Sequence, residues 1–175
     1  MKFLDEVRVT ASSGPGGAGA SMFRREEFVP QGGPSGGDGG RGGHVVFQAD
    51  PSLNTLHHLR FKSIIKARPG GGGGRANRTG ASGEDRVIRV PVGTIIKSAT
   101  SGALIADLSE PDSRVVLLEG GRGGRGNARF SSSTNRAPTR AEPGQPGTTQ
   151  ELKIELKLLA DVGLLGFPNA GKSTL

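Results

Sequence analysis

Apolar residues along the chain fall in short runs that turn-forming residues separate. The clearest run, residues 151–158, alternates polar and apolar positions strictly, which is the period of a strand with one buried face. The other predicted strands cover residues 3–10, 44–49, 86–92, 94–97, 104–108 and 114–119. No long segment has a helical apolar period, and residues 53–59 have room for a turn or two at most. The pattern predicts a mainly β domain, either a sandwich or a barrel.

Glycine tracts lie between these predicted strands. Most of the 31 glycines fall in residues 14–43, 70–83 and 120–126, and residues 36–43 and 120–126 repeat Gly-Gly-X in strict phase. Polyproline II has three residues per turn, so this repeat leaves two sides bare and aligns every X on the third. Bare sides let neighbouring backbones approach closely. We therefore predict packed polyproline II helices rather than flexible linkers.

Composition excludes several classes of protein. The chain has no cysteine, which rules out a disulfide framework and a thiolate zinc site. Acidic Asp5 and Glu6 stand where a signal peptide needs apolar residues, and no apolar run is long enough to cross a membrane. A soluble, cytoplasmic protein is expected. The scattered phenylalanines are predicted to pack a small core: Phe3, Phe23, Phe28, Phe47, Phe61 and Phe130.

Positive charge is concentrated in two blocks of the chain. The net charge is +7, and most of the excess comes from two arginine-rich blocks, residues 60–89 and 114–140. Arginine suits bidentate phosphate contacts and stacking on bases, so the blocks indicate a polyanionic partner, with a solvated basic surface as the alternative. The candidates for contacting RNA lie in a glycine-rich loop and in or just after a triplet tract: Arg75, Arg78, Arg122, Arg125 and Arg129.

The most specific motif lies near the end of the chain. An apolar run at residues 160–165 leads into Gly-x-x-x-x-Gly-Lys-Ser, the phosphate-binding loop. Its backbone amides would surround the phosphates, Lys172 would reach the β- and γ-phosphates, and the Ser173 hydroxyl would bind Mg²⁺. The nucleotide-binding candidates are Gly166, Phe167, Pro168, Asn169, Ala170, Gly171, Lys172 and Ser173. A base-reading motif would follow Leu175, so a P-loop kinase or ATPase stays an alternative at this point.

Taken in order, these segments resemble the Obg family of ribosome-associated GTPases. The carrying motifs are Met-Lys-Phe at 1–3, Phe-Arg-Arg-Glu at 23–26, residues 30–40, Leu-Asn-Thr-Leu at 53–56, Val-Pro-Val-Gly-Thr at 90–94, residues 120–124, Gly-Asn at 126–127, Phe130, residues 159–163 and residues 166–175. The resemblance implies an Obg domain at residues 1–159, a small β barrel that carries glycine-rich polyproline II helices. Residues 160–175 would then be the first strand and phosphate loop of a truncated α/β GTPase domain.

The resemblance also implies a function. The full-length protein is expected to bind GTP or GDP with Mg²⁺ and to hydrolyse GTP during assembly of the large ribosomal subunit. Its Obg domain would dock on rRNA near the peptidyl-transferase region, and some members respond to guanosine tetraphosphate. A monomer is expected, and the 175-residue chain alone, without catalytic residues of its own, is expected to be inactive. The alternative is a ribosome-binding module whose main action needs no hydrolysis.

Overall fold

Eight strands in two sheets organise the described part of the chain. The computed structural model describes residues 6–24 and 32–157. The strands are β1 (Glu6–Ser12), β2 (Val45–Ala49), β3 (Ile64–Lys66), β4 (Arg86–Val90), β5 (Thr94–Ser98), β6 (Leu104–Leu108), β7 (Arg114–Leu118) and β8 (Thr149–Leu156). Short 3₁₀ turns cover His57–Leu59 and Asn127–Phe130.

The two sheets have different strand orders. The larger runs β3-β1-β8-β5-β6 and the smaller runs β4-β2-β7. All the pairings are antiparallel except β3 on β1 and β4 on β2, and both of these parallel strands lie at a sheet edge. Strand β4 ends at Val90, just before Pro91, because proline has no amide hydrogen to continue a ladder.

The inner faces of the two sheets share one apolar core. The alternation predicted for β8 buries Leu152 and Ile154, which meet Val9 of β1 and Phe47 of β2 in the same cluster. Strand β2 is the central strand of the small sheet, and Val45, Val46 and Phe47 are all fully buried. A core shared by two stacked sheets is a sandwich arrangement.

The outer face of the larger sheet carries a cross-strand charge network. Glu155 of β8 accepts from Lys153 at 2.7 Å and from Lys97 of β5 at 2.5 Å, and Lys153 also reaches Glu6 of β1 at 3.1 Å. The two ammonium groups, Lys153 foremost, lower the pKa of Glu155 to about 2. A lowered carboxyl pKa stabilises the fold above the unfolded pKa, and this stabilisation is lost as the pH falls toward 2.

The mainly β class is confirmed, with corrections in detail. The predicted strands are present with ends shifted by a few residues, while β3 was not predicted because three residues are too few to show a period. The barrel is not confirmed, since the described strands form two open sheets. The predicted domain boundary after residue 159 and the strand at residues 160–165 lie outside the described residues.

Six glycine-rich segments outside the sheets form a bundle in the described residues. They cover residues 13–20, 36–43, 68–74, 78–84, 120–127 and 142–148, and along each ladder between two segments every third amide donates to a carbonyl of the neighbour. In one ladder, amides donate from Gly14 to Gly43, from Gly17 to Gly40 and from Ala20 to Gly37, at 2.8 to 2.9 Å. This three-residue repeat is the period of polyproline II. The prediction of packed glycine helices is confirmed.

Close approach of the backbones explains the glycines. A Cβ atom built on Gly39 would overlap the carbonyl oxygen of Gly17, and one built on Gly123 would overlap that of Gly39. The same overlap with a neighbouring carbonyl recurs at most glycines of the bundle. Side chains are therefore tolerated only where the X position of the triplet faces outward.

Replacing a glycine inside the bundle tests this constraint. We expect Gly39→Ala to destabilise the fold by about 3 kcal/mol or more, because neither backbone can move without breaking a ladder. The control is Gly72→Ala, where the nearest atom to the new Cβ is the Ala18 oxygen at 3.8 Å. The control should change stability by less than about 1 kcal/mol. Urea unfolding followed by circular dichroism measures both, and equal midpoints would refute the packing argument.

Candidate nucleic-acid interface

The connections at one end of the bundle lie far from the sheets. Segments 13–20, 68–74 and 120–127 each follow a strand and lead away from the sheets, and the other three segments return. With a rise of about 3.1 Å per residue, seven residues carry the chain about 20 Å from the sandwich. We call this end the tip; among the described residues it comprises 21–24, 32–35, 75–78 and 128–141.

The buried side chain of Asn127 hydrogen-bonds three backbone segments at the tip. Its side chain is fully buried, and its Oδ1 accepts the Gly36 amide at 2.8 Å. Its Nδ2 donates to the carbonyls of Met22 and Pro138, both at 3.0 Å. One side-chain amide thus satisfies three backbone groups from separate parts of the chain, and it holds them in one arrangement.

The hairpin between segments 68–74 and 78–84 presents two predicted arginines. The Gly74 amide donates to Arg78 at 2.8 Å and closes the turn, and the Asn77 amide donates to Ser35 at 2.8 Å. Ala76 and Asn77 have φ of 54° and 57°, a left-handed conformation that asparagine tolerates better than alanine. Arg75 and Arg78 are exposed, and neither has an acidic partner among the described residues.

An exposed aromatic side chain lines the same groove as Arg75. Phe23 is 37% exposed and pairs through its backbone with Pro34. Together with Arg24, Arg75 and Asn77 it lines an open groove at the tip. The expectation that Phe23 packs the core is therefore wrong. An exposed ring and a guanidinium in one groove are the groups that proteins use to stack a base and hold its phosphate.

Arg122 and Arg125 lie along the side of the bundle. Both occupy X positions of the triplet tract and are exposed, on either side of the Gly123–Gly124 pair. Their segment bonds to 13–20, 36–43 and 142–148, whereas the hairpin bonds to the opposite flank of the same central pair. The two arginine blocks of the sequence therefore reach two different flanks of one rigid body.

Arg129 differs from the other candidate arginines. Its Nε and Nη2 donate to Asp38 Oδ2 at 3.0 and 2.9 Å, and the Gly126 amide donates to Oδ1 at 2.9 Å. The Gly126 amide and the guanidinium lower the pKa of Asp38, which keeps the carboxylate charged. Arg129 thus joins two bundle segments in addition to being exposed. Its pairing with a residue so distant in sequence gave no local signal.

Two histidines have structural hydrogen bonds. His44 Nδ1 accepts the Gly120 amide at 2.9 Å at the base of the bundle, and His58 Nε2 contacts the Arg89 carbonyl at 2.8 Å. Within residues 6–24 and 32–157, no three His, Asp or Glu side chains come together as a metal site. Across the same residues, no helix is long and apolar enough to span a membrane.

The nucleotide-binding candidates fall outside the described part of the chain. These are the phosphate-loop residues Gly166 to Ser173, including Lys172 and the predicted Mg²⁺ ligand Ser173. Their assignment stays a prediction from the motif.

Comparison with known proteins agrees with the sequence motifs. A protein named GTPase Obg from Desulfitobacterium hafniense is 58% identical over 173 residues, covering 99% of this chain and 41% of the relative. Proteins of the same name from Salinibacter ruber and Persephonella marina are 57% and 53% identical, covering the whole chain and 51% and 52% of their own lengths. The chain spans about half the length of the curated relatives it matches. The GTP1/OBG family model matches residues 4–158, and the chain belongs to that family.

Proposed function

We propose that the protein is a GTP-binding and GTP-hydrolysing factor that acts in assembly of the large ribosomal subunit. The observation that carries the proposal is a rigid glycine bundle with exposed arginines at its tip and flank, followed in sequence by a phosphate-binding loop. The relatives' shared name, GTPase Obg, supports the nucleotide chemistry. We further propose that the protein acts as a monomer in the cytoplasm and that guanosine tetraphosphate competes for the same nucleotide site.

The phosphate loop would supply nucleotide binding. Gly166 and Gly171 allow the backbone to surround the phosphates, and Lys172 adds a positive charge near the β- and γ-phosphates. Ser173 is the residue that would hold Mg²⁺, an oxygen ligand of the kind that this cation prefers. Magnesium would neutralise the charge that develops on the transferred phosphoryl group.

The bundle would supply rRNA binding near the peptidyl-transferase region. Arg75 and Arg78 at the tip, and Arg122 and Arg125 on the flank, have no acidic partners among the described residues that fix them elsewhere. We assign phosphate contacts to these four. Arg129 would contribute mainly by holding the tip through Asp38. Preorganised loops lose little conformational entropy on binding, which favours docking in a narrow site.

The alternative is an RNA-binding module whose main action needs no hydrolysis. Residues 6–24 and 32–157 form the ladders of the bundle and the shared core of the two sheets, so this part of the chain offers an RNA-binding surface of its own.

Removing the arginines tests rRNA docking. We expect both Arg75→Gln/Arg78→Gln and Arg122→Gln/Arg125→Gln to weaken co-sedimentation with large ribosomal subunits. The slope of log affinity against log salt should become shallower by about 1.5 in each, since each lost phosphate contact removes about 0.7 to 0.9.

The matched control for docking is Arg8→Gln/Arg114→Gln, which removes two exposed arginines from strands β1 and β7. The control should bind like the wild type. If all three pairs weaken binding equally, only net charge matters and the docking assignment is wrong.

Asn127→Ala tests whether the tip must be held in place. The substitution leaves the Gly36 amide and the Pro138 carbonyl without partners, while the Met22 carbonyl keeps the Ser35 amide, and we expect it to cost about 2 to 3 kcal/mol. Subunit binding should weaken as well, and hydrogen exchange should accelerate at residues 74–78 and 132–141. Asn135→Ala, at an exposed position in the same tip, is the control. Unchanged exchange in Asn127→Ala would show that the tip needs no such clamp.

Lys172→Ala in the full-length protein separates hydrolysis from binding. We expect GTP hydrolysis to fall about 100-fold or more, since a transition-state charge contact is lost. In the leading proposal, subunit association also loses its dependence on GTP against GDP. Phosphate release and co-sedimentation measure the two effects. Nucleotide-independent association in the wild-type protein would favour the alternative module.

A further inference from the structure

A second cationic groove lies on the sandwich, between the edges of the two sheets. Strand β3 borders it on one side and β4 on the other, and each is the edge strand of its sheet. Buried Leu59, Ile65 and Ile88 form its floor. The groove encloses about 480 Å³.

The walls of this groove carry positive charge only. Lys62, Lys66, Arg86 and Arg89 line it, and no Asp or Glu does so among the described residues. Arg89 reaches Asp50 at a long 3.8 Å and is 71% exposed. Lys62, Lys66 and Arg86 have no acidic partner in residues 6–24 and 32–157. Four cations in one groove repel one another unless an anion occupies it.

An exposed aromatic ring precedes the groove residue Lys62 in the sequence. Phe61, next to Lys62, is 78% exposed, contrary to the expectation that it packs the core. The Arg60 guanidinium lies 5.9 Å from its ring centroid, and the His57 ring meets it edge-on at 5.8 Å. These neighbours orient the ring without covering it. Exposed phenylalanine beside arginine and lysine is the pattern on which bases of single strands stack.

We propose that this groove binds single-stranded RNA. Lys62, Lys66, Arg86 and Arg89 contact consecutive phosphates, and a base stacks on Phe61. An acidic peptide that adds to a sheet edge fits less well, since β3 offers three residues and then enters the bundle.

This site is separate from the tip. Lys66 and Arg86 lie at the base of the 68–84 hairpin, and Arg75 and Arg78 lie at its other end. The seven residues 68–74, in the polyproline II conformation, separate the two ends by about 20 Å. The proposal therefore goes beyond the rRNA docking assigned to the tip, and either assignment can be refuted without the other.

Binding of a labelled oligouridine tests the groove. The probe is a fluorescein-labelled strand of about 12 nucleotides, within the range of known single-strand sites, followed by anisotropy with the whole chain at low salt. We expect Lys62→Gln/Lys66→Gln/Arg86→Gln/Arg89→Gln to reduce affinity at least tenfold and to make the salt slope shallower by about 3. Phe61→Ala alone should weaken binding about tenfold with little change in that slope.

A variant with the same change in charge is the control. Arg8→Gln/Arg114→Gln/Arg136→Gln/Lys157→Gln also removes four positive charges, from exposed residues that belong neither to the groove nor to the four arginines assigned to docking, and it should lose much less affinity. A 4-thiouridine version of the probe should crosslink to residues 57–66 and 86–89. Circular dichroism and thermal melts confirm that each variant is folded.

Three outcomes would overturn the proposal. The first is crosslinking confined to the tip, and the second is equal loss of affinity in the two four-residue variants. The third is that a labelled polyglutamate peptide binds more tightly than the RNA and that the groove variant no longer binds this peptide. That result would assign the groove to an acidic protein. Loss of subunit docking in Arg75→Gln/Arg78→Gln, with oligouridine crosslinking to residues 57–66 and 86–89 intact, would support both sites.

Discussion

Hydrogen bonds between backbones at every third residue hold the bundle together, and they leave no room for a Cβ between segments. The bundle has no apolar core, so its cohesion comes from these bonds and from close van der Waals contact. Glycine is the residue that loses most conformational entropy on folding, so such a structure is costly to order by itself. Each segment, however, joins a strand at its base: 13–20 follows β1, 36–43 precedes β2, 68–74 follows β3, 78–84 precedes β4, 120–127 follows β7 and 142–148 precedes β8. The sandwich core therefore restrains the base of every segment and reduces the entropy that the ladders must offset.

The need for glycine wherever two backbones approach closely explains which elements could be predicted from the sequence. Strict alternation in β8 and the Gly-Gly-X phase are local patterns, and both correspond to what forms. The segment 142–148 has only two glycines and lacks the Gly-Gly-X phase, so it was not predicted, although Pro-Gly-Gln-Pro-Gly-Thr at 143–148 repeats every three residues. The choice between sandwich and barrel depends on which edges meet, which strand periods do not encode.

The features of the candidate site also divide into those that local sequence patterns predict and those that they do not. Exposure of Arg75, Arg78, Arg122 and Arg125 follows from their positions in a loop or at X of the repeat. The Arg129–Asp38 ion pair and the Asn127–Gly36 hydrogen bond each join residues that lie 91 positions apart in the sequence. The exposure of Phe23 and Phe61 escaped prediction because an apolar side chain in a small domain ordinarily packs its core.

A rigid bundle also decides how two cationic surfaces act together. The groove and the tip are joined by the 68–84 hairpin, whose ladders to 13–20 and 36–43 prevent it from bending. When a flexible linker joins two binding sites, a partner bound at the first has a raised effective concentration at the second over a range of distances. When a rigid spacer joins them, this holds only for a partner whose two binding elements match the separation of the sites. A folded RNA with single-stranded elements about 20 Å apart would bind both at little further entropic cost, and an unstructured strand would not. Specificity would then come from the length of the hairpin, and the glycines that prevent it from flexing would set that length.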